Sequence, residues 1–126
     1  MAKPKLKLVT ETQKFLAQTP DGIRIYEVDG ARIRSSMDVD FTQGAHWMTK
    51  KYIPLNEVWV EKMLDGEDQC AILAHELKEC RLMRDARLPY EDAHKRASEF
   101  EWGIRHETSA CAIAKKVMGE TGGDKP

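Results

Sequence analysis

The chain has 126 residues and nearly balanced charge, with 20 Lys and Arg against 21 Asp and Glu. That length supports one domain over residues 1–126 with a modest core, and not two. The balance argues against a general polyanion binder, so nucleic acid is not an expected partner, and no strongly acidic substrate is implied.

Residues 1–8 carry Lys3, Lys5 and Lys7 and read as a loose basic arm, without the apolar region or cleavage site of a secretory signal. Thr10 to Gln18 is expected as a short helix with Thr10 as N-cap, and Pro20-Asp21-Gly22 as a turn. Ile23 to Val28 then predicts a strand, with Asp29-Gly30 as a hairpin turn leading to a second strand over Ala31 to Arg34. The strict alternation of Met37 to Phe41 predicts a third, Thr42 to Lys51 a loop, and Glu57 to Glu61 another alternating strand.

The second half changes period. Apolar residues recur at Cys70, Leu73, Leu77 and Cys80, the spacing of one helix face, so a helix is expected from Glu67 to Ala86. Leu88-Pro89 breaks it. A second helix is expected from Tyr90 or Glu91 to Met118, with a weakness at Gly103, a stop at Gly119 and a disordered tail over residues 120–126. Strands first and helices last give an α+β class: a small antiparallel sheet packed on a C-terminal antiparallel helical hairpin. The longest apolar run, Ala71 to Ala74, is too short to span a membrane. Cys70, Cys80 and Cys111 form no CxxC pair and read as three buried thiols, which predicts a reducing, cytoplasmic location. Trp59 and Trp102 are expected in the core, and Trp47, in the loop, as a substrate wall or partner contact.

Helical register brings the chemistry together. At about 100° per residue, His75, Glu76 and Glu79 share one arc beside the Leu73/Leu77 face, while Lys78, Arg81 and Asp85 point away. On the second helix His94, Ser98, Glu101 and Arg105 form one stripe. The short Arg87-Leu88-Pro89 connection makes the helices antiparallel neighbours, with His75 and His94 at comparable distances from the turn. His75, Glu79 and His94 therefore predict a two-His, one-carboxylate set suited to Zn²⁺, with Fe²⁺ or Mn²⁺ as alternatives and one position left open. Glu76 is the expected general base, and Glu101, with Arg105 beside it, the outer acceptor for an imidazole N–H or a fourth ligand. The simpler reading of the same residues is a set of local ion pairs, with Glu79 joined to Arg84 or Arg105. Glu91-x-x-His94 matches half of a di-iron motif whose other half would need a second copy of the chain, and His46 reads as a solvated loop residue, with an approach to the site from the sheet side as the lesser alternative.

His75-Glu76-Leu77-Lys78-Glu79 resembles the HExxH helix of zincin metallopeptidases, with Glu79 where the second His is expected. The longer pattern His-Glu-Leu-x-Glu-x-x-Leu-Met followed by Tyr-x-x-Ala-His-x-x-Ala-Ser-x-x-Glu, from His75 to Glu101, is similar to small uncharacterised bacterial and phage proteins. The zincin resemblance implies His75, Glu79 and His94 as ligands, Glu76 as base and a flanking strand at Glu57 to Glu61. The departure at Glu79 adds an anionic ligand, which weakens a cation's pull on its water. The leading expectation is a zincin-like, metal-dependent hydrolase acting on a peptide or small amide. The rival is a non-catalytic structural or interaction protein, possibly phage-derived, whose His/Glu network ties the hairpin together. The sequence sets no oligomeric state.

Overall fold

A computed structural model describes residues 13–106 and 109–120. The expected basic arm, the start of the first predicted helix and the tail beyond Glu120 lie outside the described residues. The class is α+β, with a four-stranded mixed sheet and four helices among the described residues. The strands are β1 (Lys14–Gln18), β2 (Arg24–Val28), β3 (Gly44–His46) and β4 (Glu57–Glu61), in the order β1-β2-β4-β3. The helices are α1 (Gly30–Ser36), α2 (Gly66–Asp85), α3 (Tyr90–Arg105) and α4 (Ala110–Met118). Among the described residues, no helix is long and apolar enough to cross a membrane.

Strand β4 organises the sheet because all five of its residues are buried. Its period-2 alternation sends Val58 and Val60 to one face, against Ile72, Leu73 and Leu77 of α2, and Trp59 to the other, against Val28, Ile33 and Phe41. It pairs parallel with β2 and antiparallel with β3, so the sheet is mixed and not the expected antiparallel one. A parallel pair needs a crossover, and here the chain from Asp29 to Asn56, with α1 and β3 within it, supplies that connection.

Several expected elements differ for identifiable reasons. Lys14 to Gln18 is a strand and not part of a helix, because pairing with β2 outweighs local helix preference; Phe15 meets Tyr26 edge-on, with ring centroids 5.6 Å apart. Asp29-Gly30 makes no hairpin. The Asp29 carboxylate accepts from the Arg32 N–H as a helix N-cap, and the Gly30 N–H donates to Glu61 Oε1 at 3.1 Å. A Cβ on Gly30 would run into the Glu61 carboxylate, so the glycine serves a close approach and α1 replaces the predicted strand over residues 31–34. Met37 to Phe41 is a turn region, and the predicted loop contains the short strand β3.

The long second helix is two helices. It ends at Arg105, and Ser109 N-caps α4 through a hydrogen bond from the Ala112 N–H. The break lets α4 fold back so that Ala110, Ala114 and Val117 bury beside α2. A disulfide joins Cys70 on α2 to Cys111 on α4, leaving Cys80 as the free, buried thiol. This corrects the expectation of three thiols and removes the cysteine-based ground for a reducing compartment. Trp59 is fully buried, whereas Trp102 is exposed and lies against His106. Trp47 is half-buried and packs against the clusters on both faces of the sheet.

Arg81 was expected at the surface and is buried. Its guanidinium donates from Nε and Nη2 to the two oxygens of Asp21, each at 3.0 Å, and from Nη1 to the Val117 carbonyl at 2.6 Å. It thus ties the turn before β2 to the end of α4. Burial alone would raise the Asp21 pKa, but hydrogen bonds from Arg81, Thr19 and Arg84 outweigh it and hold the carboxyl well below its usual range. The Arg81→Ala variant is expected to lose about 2–3 kcal/mol in urea denaturation, because it removes the bidentate partner of a buried carboxylate, leaving Thr19 and Arg84 to hold it, and leaves the Val117 carbonyl without its donor. Asp21 is depressed in the folded state, so its contribution is present above about pH 4 and lost as pH falls further. The wild type should therefore lose stability on acidification more steeply than Arg81→Ala; equal slopes would contradict this reading.

Candidate metal centre

Three elements converge on Glu79. Helix α2 presents His75, Glu76 and Glu79 toward a half-open cleft of about 630 Å³ between α2, the start of α3 and the β3 region. Asp65 caps the start of α2 by accepting from the Asp68 N–H at 2.9 Å, which fixes the register of the arc. Arg87, with φ of 56°, supplies the left-handed kink after α2, and α3 returns antiparallel with Tyr90 and His94 on the cleft side. Strand β3 brings His46 to the same point. A Cβ on Gly44 would lie 2.7 Å from Ile72 Cγ2 and 3.0 Å from Glu76 Cγ, so only glycine lets β3 pack this closely on α2.

The two oxygens of Glu79 face different partners. Oε2 lies 2.8 Å from His94 Nδ1 and 3.1 Å from His75 Nε2, and Oε1 lies 2.8 Å from His46 Nε2. The residues expected as ligands are therefore together: donor atoms of His75, Glu79 and His94 lie within 4.8 Å of one another. Glu101 stands behind His75, with Oε1 3.0 Å from Nδ1, but off the line of a hydrogen bond, so that nitrogen is buried without a directed partner. Arg105 holds the other Glu101 oxygen at 2.8 Å and Asp68 at 2.7 Å, and Arg84 is taken by Asp21 and Asp85. The hydrogen-bond partners of Glu79 are thus imidazoles, not the arginines that a local ion-pair reading requires.

His46 was read as a solvated loop residue and is fully buried. A three-residue strand is too short to register as alternation, so the sequence carried no usable signal for it. Donor atoms of His46, Glu76 and Glu79 also lie within 4.8 Å of one another, which makes a second ligand set conceivable on distance. Hydrogen bonding argues against it. The Met48 N–H donates to His46 Nδ1 at 3.2 Å, so that nitrogen carries no proton, and the neutral ring must keep its proton on Nε2, facing Glu79. Ligation through Nε2 would demand either an imidazolate or a shift of the proton to Nδ1 with loss of the Met48 hydrogen bond.

Charge in the cluster follows from burial and neighbours. Burial would raise Glu79, but hydrogen bonds from His46, His75 and His94 outweigh it and hold it well below the ordinary carboxylate range. Burial would lower His75, but its hydrogen bond to Glu79 and the nearby charges of Glu76, Glu79 and Glu101 raise it. Glu76 has no such donor. Its ion contact is the long one, 3.9 Å to His75 Nε2, and burial, then the negative charge of Glu79, push its pKa up to about 8. A carboxyl raised in the folded state contributes stability that is fully present below about pH 4.5 and lost as pH rises through the folded value. In metal-free protein, thermal melts from pH 5 to 8.5 should show wild type losing on the order of a few kcal/mol. Glu76→Gln should stay flatter over that range; parallel curves would contradict the assignment.

A scan against protein-family models finds no match to the chain. Neither a search of curated proteins nor one of solved structures returns a match.

Proposed function

We propose that the protein is a divalent-metal-dependent hydrolase with a zincin-like active helix, acting on a peptide or small amide. The observation that carries this reading is the approach of two imidazoles to one oxygen of a buried carboxylate at the wall of an open cleft. His75 Nε2, His94 Nδ1 and Glu79 Oε2 would hold the ion. The donor set is two nitrogens and one oxygen, which suits Zn²⁺ best and accepts Fe²⁺ or Mn²⁺. Behind His75, Glu101 Oε1 lies 3.0 Å from the unpartnered Nδ1, and a small rotation of the ring would complete the carboxylate–histidine arrangement that orients a metal ligand. When bound, such an ion polarises water and the carbonyl under attack.

The remaining steps belong to side chains. Glu76 lines the cleft one residue from His75, where its carboxyl would take up a proton from water and return it to the leaving group. Arg105 holds Glu101 in place behind the His75 ring. Tyr90 stacks on His94, with centroids 5.2 Å apart, and its hydroxyl sits 3.4 Å from His94 Nδ1 at the mouth of the cleft. Met48, Met83 and Ala45 add apolar wall for a substrate side chain.

One observation favours the structural alternative: the three imidazoles already satisfy Glu79 by direct hydrogen bonds. The two readings separate at His94, whose side chain is 47% exposed. For a metal site, untagged protein should carry about one Zn²⁺ per chain by mass spectrometry. His94→Ala should lose that ion yet remain folded by circular dichroism, its urea midpoint close to that of metal-stripped wild type. Glu76→Gln should keep the ion and lose roughly 10²–10⁴-fold in hydrolysis of a peptide library. Wild type that takes up no Zn²⁺ at micromolar concentration would rule out the hydrolase and leave the structural reading.

A further inference from the structure

We propose that His46 is a positioning residue: its Nε2–H holds one oxygen of Glu79, so that the carboxylate offers only its other oxygen to a bound divalent cation. The inference rests on the metal-binding reading of His75, Glu79 and His94 and assigns to a strand residue the control of how Glu79 binds.

The proton on His46 is fixed by the backbone. Strand β3 ends at His46, and the chain turns so that the Met48 N–H points back at Nδ1, 3.2 Å away. Nδ1 is an acceptor, and Nε2 is left as a donor 2.8 Å from Glu79 Oε1. The ring is fully buried and packs edge-on against Trp47, with centroids 5.9 Å apart, and turning it over would break both hydrogen bonds. The groups that face Glu79 come from three elements: His46 from β3, His75 and Glu76 from α2, and His94 from α3. Among the described residues His46 alone hydrogen-bonds Oε1, and both candidate nitrogen ligands approach Oε2.

A carboxylate binds a cation through one oxygen or chelates it through both. An oxygen already accepting a strong hydrogen bond is a poor second donor, so His46 favours the one-oxygen mode. That keeps a coordination position free on the cleft side. The same hydrogen bond draws charge from Glu79 and offsets part of the damping that an anionic ligand imposes in place of a second imidazole. Without it, Oε1 can swing toward the ion and fill the free position.

Two experiments on the full chain test this. In ¹⁵N-histidine spectra of wild type, His46 should show an unprotonated Nδ1 and a protonated Nε2 both before and after Zn²⁺ is added. In Co²⁺ titrations, wild type should give the intense visible bands of a four-coordinate ion. His46→Ala should bind Co²⁺ roughly 10–100-fold more weakly with bands weakened toward five-coordination. His46→Gln, which can place an amide N–H toward Oε1, should restore both in large part. Loss of the Nε2 proton on adding Zn²⁺ would make His46 a ligand and overturn the proposal while the metal site stands. A folded His46→Ala with wild-type affinity and bands would overturn it equally. If His46→Ala does not fold, the wild-type spectra alone decide. No uptake of either ion by wild type would sink the metal reading itself, and this proposal with it.

Discussion

The structure turns on one buried carboxylate. Glu79 is 3% exposed, and an ionised carboxylate in such a place is untenable without compensation. Compensation comes from three directions at once: an imidazole from the sheet edge, one from its own helix a turn earlier, and one from the following helix. Each of β3, α2 and α3 must therefore sit within about an ångström of its place for the charge to be satisfied. That requirement explains local features that look unrelated in sequence. Gly44 gives β3 its close approach to α2, and Arg87 in the left-handed region lets α3 return directly. Arg81 and the Cys70–Cys111 disulfide anchor the far side of α2 to α4, so the helix bearing Glu79 is held from both faces.

The same arrangement separates two acidic residues three positions apart. Glu79 is surrounded by hydrogen-bond donors and stays ionised, while Glu76 is equally buried with no close donor and is driven toward the neutral form. Two carboxyls whose environments push their proton affinities apart are a common basis for acid–base work in one site. Here the contrast is built from neighbours that no local pattern around residues 76–79 contains, because the decisive one, His46, lies 33 positions earlier.

Helical periodicity made much of the site readable. The arc of His75, Glu76 and Glu79 and the stripe of His94, Glu101 and Arg105 follow from 3.6-residue spacing, and a three-residue connection left little freedom in how two helices could face each other. Arg84 and Arg105 turned out to be paired elsewhere, which the periodic pattern alone could not decide. The β half was less readable. Lys14 to Gln18 takes strand form only because β2 offers an edge, and Asp29-Gly30 reads as a hairpin until Glu61 arrives from the neighbouring strand to accept the Gly30 N–H. Arg81 shows the limit within a helix: spacing placed it on the outer face, and α4, which follows a break just past the weakness expected at Gly103, covered that face.

The central claim is that His75, Glu79 and His94 are arranged to share a cation at the cleft wall. The most direct measurement is a crystal structure of the protein soaked with Zn²⁺, with anomalous diffraction recorded at the zinc edge. The account predicts one strong anomalous peak bounded by His75 Nε2, His94 Nδ1 and one oxygen of Glu79. A peak elsewhere, or a cluster unchanged and free of anomalous signal, would contradict it.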